Sequence, residues 1–209
     1  MRPRLLGFLL VLLAIAPVAA FAQTPARCGF SFGLSGAIGV PTTNEIRTEF
    51  PYFGGADGEV KYYLWKPFSL AASVGFLYGE GKPEKEEYHE SWIDLDRPGR
   101  SFFRAGVADA LLRIEIGRYW RFNPYVGGGA GYLYSTLERR GVLNETPVTD
   151  SYDEWIFHYL ALVGYDFMFD KYVGLKMEGR WTFAQSRDNF ADNLDLGAWL
   201  GLIGVQIYL

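Results

Sequence analysis

Apolar and polar residues alternate with a period of two in a series of segments along the chain. This period predicts β-strands, because successive side chains of a strand point to opposite faces of its sheet. The segment Phe30–Val40 shows the pattern, with Phe32 and Leu34 on one face and Ser31 and Ser35 on the other. Seven further segments bring the predicted number of strands to eight: residues 57–65, 68–78, 104–116, 124–135, 155–167, 173–183 and 199–209.

The connections between these segments alternate between long and short. The short ones are Lys66-Pro67, residues 117–123 and a turn near Asp170-Lys171. The long ones run from Pro41 to about Gly55, from Gly79 to about Phe102, from Thr136 to Glu154 and from Ala184 to Asn193. Long loops at one rim and short turns at the other are typical of outer-membrane barrels, whereas a soluble sandwich has no reason to sort its connections in this way.

A sheet that enters a bilayer must close on itself, because lipid offers no hydrogen-bond partners to an open edge. Eight strands of about 9–11 residues are the smallest common closure. The predicted fold is therefore all-β, an eight-stranded antiparallel up-and-down transmembrane β-barrel with long external loops and short periplasmic turns. A periplasmic β-sandwich is the alternative interpretation of the same strands.

Composition agrees with a β-rich protein and excludes other classes. The chain is 49% hydrophobic and 17% aromatic, and its mean hydropathy is +0.00. These values exclude a disordered chain and a bundle of membrane-spanning helices. The net charge of −4 gives no indication of a nucleic-acid partner. The single cysteine, Cys28, excludes an internal disulfide framework.

The N-terminus has the pattern of a secretory signal peptide. Arg2 and Arg4 precede an apolar run from Leu5 to Ala16, and small residues end at Ala22. Cleavage there leaves residues 23–209 as the barrel domain, with 18 basic and 24 acidic residues and a net charge of −6. The exported chain is expected in the bacterial outer membrane.

If the apolar face of each strand contacts lipid, the opposite face fills a narrow lumen. Six acids and four bases lie on that face and are expected to pair across the lumen, because buried charges are tolerated when they are paired. These charges also argue against a wide apolar cavity inside the barrel. The expected lumen residues are Asp57, Glu59, Asp109, Glu115, Asp166 and Glu178 with Lys61, Arg113, Lys176 and Arg180.

Aromatic residues cluster near the ends of the segments, which predicts the two interfacial girdles of a membrane barrel. At the rim of the short turns they are Tyr62, Trp65, Phe68, Tyr119, Trp120, Phe122, Phe167, Phe169 and Tyr172. At the rim of the long loops they are Phe76, Tyr78, Tyr132, Tyr134, Trp155, Trp181 and Phe183.

Two runs resemble the OmpA-like outer-membrane β-barrel family. The first is the turn and strand RFNPYVGGGAGY at residues 121–132, and the second is GYDFMFDKYVGLKMEGRW at residues 164–181. The C-terminal strand, alternating through Val205, Ile207 and Leu209, looks like the signal read by the barrel assembly machinery, although it ends on Leu209 instead of an aromatic residue. The resemblance implies a barrel alone, without a peptidoglycan-binding domain.

The expected function is a structural or surface-interaction role carried by the external loops. One alternative is a narrow porin-like pore for ions or small solutes. A less favoured alternative is a lipid A-modifying acyl enzyme, which would need a nucleophile and a base near the outer rim. The two histidines are interpreted as a solvated loop residue, His89, and a lumen-facing polar residue, His158. No catalytic residue, cofactor or metal ligand is predicted.

Outer-membrane lipid and lipopolysaccharide are the expected surroundings, and the ligand of the loops is unknown. One hypothesis is that acidic side chains of the second long loop share divalent cations with lipopolysaccharide phosphates. A solvated loop is the favoured alternative. The acids concerned are Glu80, Glu84, Glu86, Glu87, Glu90, Asp94 and Asp96.

Overall fold

Eight strands and one short helix make up the part of the chain that the computed structural model describes, residues 29–65, 67–81, 97–117, 121–143, 146–186 and 195–209. The strands are β1 (Gly29–Pro41), β2 (Phe53–Tyr63), β3 (Phe68–Gly81), β4 (Arg97–Glu115), β5 (Phe122–Leu143), β6 (Thr146–Met168), β7 (Val173–Ala184) and β8 (Ala198–Tyr208). The helix α1 (Asn44–Glu49) lies between β1 and β2. The predicted signal peptide, residues 1–22, lies outside these ranges.

The sheet closes into a barrel. Each strand pairs antiparallel with the next, and β8 returns to pair with β1 from Ser31 opposite Tyr208 to Pro41 opposite Ala198. The backbone of every strand thus finds partners on both sides over the barrel wall, as a lipid environment requires. The predicted fold class is confirmed. Within the described ranges, none of the helical structure reaches the length and apolar character needed to cross a membrane.

Alternation of side chains gives the barrel its two surfaces. On β1, Leu34 is 69% exposed while its neighbour Ser35 is 3% exposed. The outer surface carries most of the large exposed apolar side chains, including the aromatic pairs at the rims. At the loop rim the rings of Tyr134 and Trp155 lie 4.9 Å apart, and at the turn rim Phe169 is also exposed. Tyr119 and Trp120 lie outside the described residues.

The largest difference from the sequence prediction concerns residues 136–154, which were expected to form a loop. Most of this stretch continues β5 and β6 as a paired hairpin, with Leu137 opposite Tyr152 and Leu143 opposite Thr146. Likewise, β4 begins at Arg97 and β2 at Phe53, both earlier than predicted. The extensions of β5 and β6 carry mostly polar residues on their outward positions, and the extension of β2 carries Gly54 and Ala56 there. The large apolar residues that identify a lipid-facing strand are therefore missing from these positions.

The turn between β6 and β7 is fixed by Asp170. Its Oδ1 accepts hydrogen bonds of 2.7 Å from the backbone N–H groups of Tyr172 and Val173. This is an aspartate-stabilised turn, which explains why such a short connection reverses the chain. Because both hydrogen bonds favour the carboxylate, they hold the pKa of Asp170 below its usual value.

The depth of a lipid-facing residue sets the cost of placing a charge there. Val74 is 66% exposed near the middle of β3, and Val40 is 40% exposed near the loop end of β1. We expect Val74→Arg to destabilise the folded barrel by about 2–4 kcal/mol and Val40→Arg by about 1 kcal/mol or less, since arginine is costly only near the bilayer midplane. Urea titration of folding into lipid vesicles measures both, and equal effects of the two substitutions would contradict the assigned orientation.

Candidate functional site

The turn-rim end of the interior holds a cluster around Lys61, which is fully buried. The Lys61 ammonium donates to Asp166 Oδ2 at 2.8 Å and lies 3.5 Å from Glu115 Oε1. Glu115 also accepts hydrogen bonds from Ser69, at 2.7 Å, and from Asn123. One base therefore joins two acids from two other strands at this level of the lumen.

The middle of the interior is organised by Arg113. Its two terminal nitrogens bind both carboxylate oxygens of Glu59, at 2.6 and 2.5 Å, and Nη2 also contacts Glu178 Oε2 at 2.6 Å. Lys176 donates to Glu59 at 2.7 Å, and the Tyr125 hydroxyl donates to Glu178 at 2.9 Å. Forked arginine–carboxylate pairing of this kind is among the strongest polar contacts in proteins.

A third group of contacts, next to that of Arg113 and farther from the turn rim, surrounds Arg180. Its guanidinium binds the two oxygens of Asp57 at 3.1 and 3.2 Å, and its Nε donates to Glu178 at 2.6 Å. Nη1 lies 3.4 Å from Asp109, which in turn lies 2.8 Å from Nε2 of the buried His158. His158 is thus a buried interior residue, 2% exposed.

The structure places every predicted lumen charge in the interior, in two ion-paired groups that are together called the charged network. One group surrounds Lys61 and the other surrounds Arg113 and Arg180. The ring of Tyr125 lies between them, 5.5 Å from Lys61 Nζ and 4.9 Å from Arg113 Cζ. Each member is buried, and the network runs from Lys61 near the turn rim to His158. Six acids face four bases, so the network carries two excess negative charges when His158 is neutral. Its members are Asp57, Glu59, Lys61, Asp109, Arg113, Glu115, Asp166, Lys176, Glu178 and Arg180, together with His158.

Large inward side chains of β4 face glycines of β5, which makes room for them in a narrow barrel. A Cβ atom at Gly129 would lie 2.9 Å from Leu111 Cδ2, and one at Gly127 would lie 3.1 Å from Arg113 Cγ. Side chains at these positions would collide with residues of the interior. The glycine row of β5 is therefore a packing device, and its facing pairs are Asp109–Gly131, Leu111–Gly129 and Arg113–Gly127.

The loop-rim half of the interior is apolar, which the emphasis on charged residues missed. There the inward positions form a buried cluster that includes Phe53, Leu77, Phe103, Leu133 and Ile156. The sequence does contain a signal for it: Leu77 stands between Phe76 and Tyr78, and both faces of that strand end are apolar. The interior thus has a charged half and an apolar half.

A segment of residues 42–50, here called the capping segment, covers the apolar half. It includes α1, whose Ile46 belongs to the buried cluster, and Phe50, whose ring lies 6.0 Å from that of Phe103. Glu49 of α1 accepts two hydrogen bonds from Arg139 of β5, at 2.6 and 3.1 Å. The sequence predicted a loop at residues 41–55, without this helix or its contacts.

Other predicted features of the external loops fall largely on undescribed residues. His89 and the acidic residues between 82 and 96 lie outside the described ranges. Glu80 is described and lies 3.0 Å from Arg100. The described residues contain no group of three or more His, Cys, Asp or Glu side chains placed to hold a metal ion.

Comparison with known families adds a decisive observation. The family model described as the outer membrane protein beta-barrel domain matches residues 8–200. The chain belongs to this family. As a member of the outer membrane protein beta-barrel domain family, it is located in the bacterial outer membrane, where it sits with lipopolysaccharide. No curated protein matches its sequence.

Two solved structures illustrate the fold of this family member. The outer membrane protein OprG from Pseudomonas aeruginosa is 12% identical, with a TM-score of 0.58, and the match covers 90% of this chain and 99% of OprG. The Neisserial surface protein A is 11% identical, with a TM-score of 0.53, and the match covers 87% of this chain and 97% of that one. These likenesses establish a shared barrel architecture.

Arg113 is the most connected base of the network, so its loss tests how the interior tolerates charge. We expect Arg113→Met to destabilise the barrel by about 3–5 kcal/mol, because Glu59 and Glu178 each lose a buried partner. Arg100→Met is the control, since Arg100 pairs with Glu80 in the solvent-exposed part of β4 and should cost about 1 kcal/mol or less. Urea titration in lipid vesicles compares them, and equal stability of the two variants would refute the buried pairing.

The ion pair between Glu49 and Arg139 holds the capping segment in place. We expect Glu49→Ala to increase several-fold the rate of trypsin cleavage after Arg47, because the helix loses its charged anchor to β5. Tyr52→Ala serves as the control, since Tyr52 is 63% exposed and follows the capping segment directly. Mass spectrometry of the fragments locates the cut, and an unchanged rate in Glu49→Ala would argue against the anchoring role.

Proposed function

We propose that this outer-membrane barrel acts at the cell surface through a projecting three-stranded sheet made by the loop-rim ends of β4, β5 and β6. The observation that carries the proposal is the change of outward residues along the β5–β6 hairpin. The paired Tyr134 and Trp155 are aromatic, and the next outward pair, Thr136 and Asp153, is polar. Aromatic girdles mark the membrane interface, so the hairpin beyond this point projects from it.

The length of the projection supports a binding role. Eight residues of each strand, 136–143 and 146–153, lie beyond the aromatic pair, which corresponds to about 27 Å of extended chain. The side chains on its outward face include Glu138, Arg140 and Asp153, whose charges suit contacts with polar surface molecules. A folded, projecting sheet presents these groups with little loss of conformational entropy on binding.

The filled interior supports this role over the pore. The charged network occupies the turn-rim half of the barrel, the apolar cluster occupies the loop-rim half, and the capping segment covers that cluster. An eight-stranded barrel has an interior just wide enough for its side chains. We therefore infer that the protein does not conduct ions in its resting state.

The surroundings of His158 support a non-enzymatic function over acyl transfer. Its ring is 2% exposed and lies against Asp109 inside the barrel, away from the outer rim where a lipid substrate would arrive. We further infer that insertion depends on the barrel assembly machinery, which would read the outward Val205 and Ile207 of β8.

Site-specific photocrosslinking in living cells tests the surface role. A photoreactive amino acid at Thr149, exposed on the projecting hairpin, is expected to yield a discrete adduct with a surface component. The same group at Tyr172, exposed in the opposite turn, is the matched control and should not yield that adduct. A shortened variant in which Asn-Gly replaces residues 140–149 should no longer bind the surface component that the Thr149 adduct identifies. The barrel of this variant should still fold, as judged by heat-modifiable electrophoretic mobility.

Three results would overturn the proposal. Stepwise conductance of the purified barrel in planar bilayers would favour the pore. A change in the acyl pattern of lipid A that depends on the protein would favour the enzyme. Absence of any adduct specific to Thr149 would leave the projecting sheet without a role.

A further inference from the structure

A cavity lies inside the barrel where the apolar cluster meets the charged network. The space in which the centre of a water molecule can lie without a clash has a volume of about 50 Å³. Phe53, Phe103 and Leu133 contribute to its apolar wall, while His158 and Arg180 line its polar end. The ring of Phe50 in the capping segment lies 6.3 Å from Phe53 and 6.0 Å from Phe103, so the capping segment covers the wall from the loop side.

The polar end holds three buried hydrogen-bonding atoms that the described residues leave without a partner: Oδ1 of Asp109 and both ring nitrogens of His158. Nε2 of His158 lies 2.8 Å from Oδ1 of Asp109, although the two atoms are not aligned as a hydrogen bond. A proton on Nε2 is favoured at this distance, because two lone pairs would repel each other, and it leaves Nδ1 as an acceptor. Nδ1 is buried and has no hydrogen-bond partner within the described part of the chain. Buried acceptors of this kind are normally satisfied by a bound molecule or by water.

The charged groups at the polar end pair mainly with one another. Arg180 binds both oxygens of Asp57 and also Glu178, and Asp109 lies between Arg180 and His158. An anionic ligand would be repelled by the excess negative charge of the network, and a cationic ligand would lose its hydration between the apolar walls of the cavity. The acceptor at His158 instead suits a neutral hydroxyl group.

The size of the cavity limits the rest of the ligand. A volume of about 50 Å³ on this measure accommodates about three to five water molecules, which occupy about 90–150 Å³ of liquid water. The upper end of that range equals the volume of an apolar cavity that holds a benzene ring. A single ring with one polar substituent therefore matches both the apolar wall and the polar end.

We propose that this cavity is a binding site for a small neutral molecule of the phenol or cyclic alcohol class. Its ring packs between Phe53, Phe103 and Leu133, and its hydroxyl group donates to Nδ1 of His158. The site is inside the barrel and independent of the projecting sheet, so it goes beyond the surface role proposed above.

The first test uses 4-fluorophenol as the probe, observed by fluorine NMR with the folded protein in detergent micelles. We expect saturable binding that Ala184→Leu weakens by about tenfold or more, because Ala184 lines the cavity and a leucine there fills it. Ala161→Leu is the matched control: Ala161 is exposed on the outer face of the neighbouring strand, and the substitution should leave the affinity unchanged. Heat-modifiable mobility establishes that each variant is folded.

The second test separates the hydroxyl contact from apolar binding. The folded protein should prefer 4-fluorophenol over fluorobenzene by about fivefold, the ratio that one modest hydrogen bond provides. His158→Phe removes the acceptor and keeps a ring at that position, so this variant should bind 4-fluorophenol and fluorobenzene with about equal affinity. If His158→Phe fails to fold, His158→Leu provides the same measurement.

The possible results divide clearly. Equal uptake of 4-fluorophenol by Ala184→Leu, Ala161→Leu and the unmodified protein would show that the probe enters the micelle and would overturn the proposal. A preference for the phenol that persists in His158→Phe would overturn the assigned hydroxyl contact. Loss of binding in Ala184→Leu alone, with loss of the preference in His158→Phe, would establish the site whether or not the projecting sheet has a partner.

Discussion

Lipid cannot satisfy the hydrogen-bonding groups of a peptide backbone, and the pairing of β1 with β8 answers this constraint. Once the last strand is joined to the first, no edge of the barrel wall faces lipid unpaired. Closure with eight strands also fixes a small circumference, and the interior becomes only as wide as its own side chains. The crowding of Arg113, Glu59 and Glu178 within hydrogen-bond distance is a direct consequence of that width.

The two halves of the interior are filled by different kinds of side chain, and the free energy of filling them differs accordingly. The charged half buries groups that are costly to remove from water, and their mutual pairing offsets that cost without necessarily adding net stability. The apolar half gains from the burial of Phe53, Leu77 and Leu133. Helix α1, with six residues, is too short to be stable alone, so its order depends on Ile46, Phe50 and the ion pair of Glu49 with Arg139.

The sequence predicted the barrel well because lipid and lumen impose opposite chemistry on successive residues. Strands such as β1 and β7 lie wholly within this contrast, and their predicted limits agree closely with the structure. The same reasoning located the inward charges, since Glu59 and Lys61 occupy alternate positions of one strand. It failed for residues 136–154, because a strand above the membrane has no need of an apolar outer face. It also missed the apolar half of the lumen and helix α1, which depend on contacts such as Phe50 with Phe103 between residues distant in sequence.

The glycine row of β5 also bears on how the barrel reaches the correct alignment of its strands. A slip of two residues between β4 and β5 would keep every side chain on its proper face, so alternation alone cannot prevent it. In one direction the slip sets Arg113 opposite Tyr125, and in the other it sets Asp109 opposite Leu133. Either error forces two large side chains into a space that the native pairing reserves for one large residue and one glycine. The glycine row therefore favours the native register of β4 and β5 over the two slipped registers. A slipped hairpin would contain a steric clash that becomes more severe as the barrel closes.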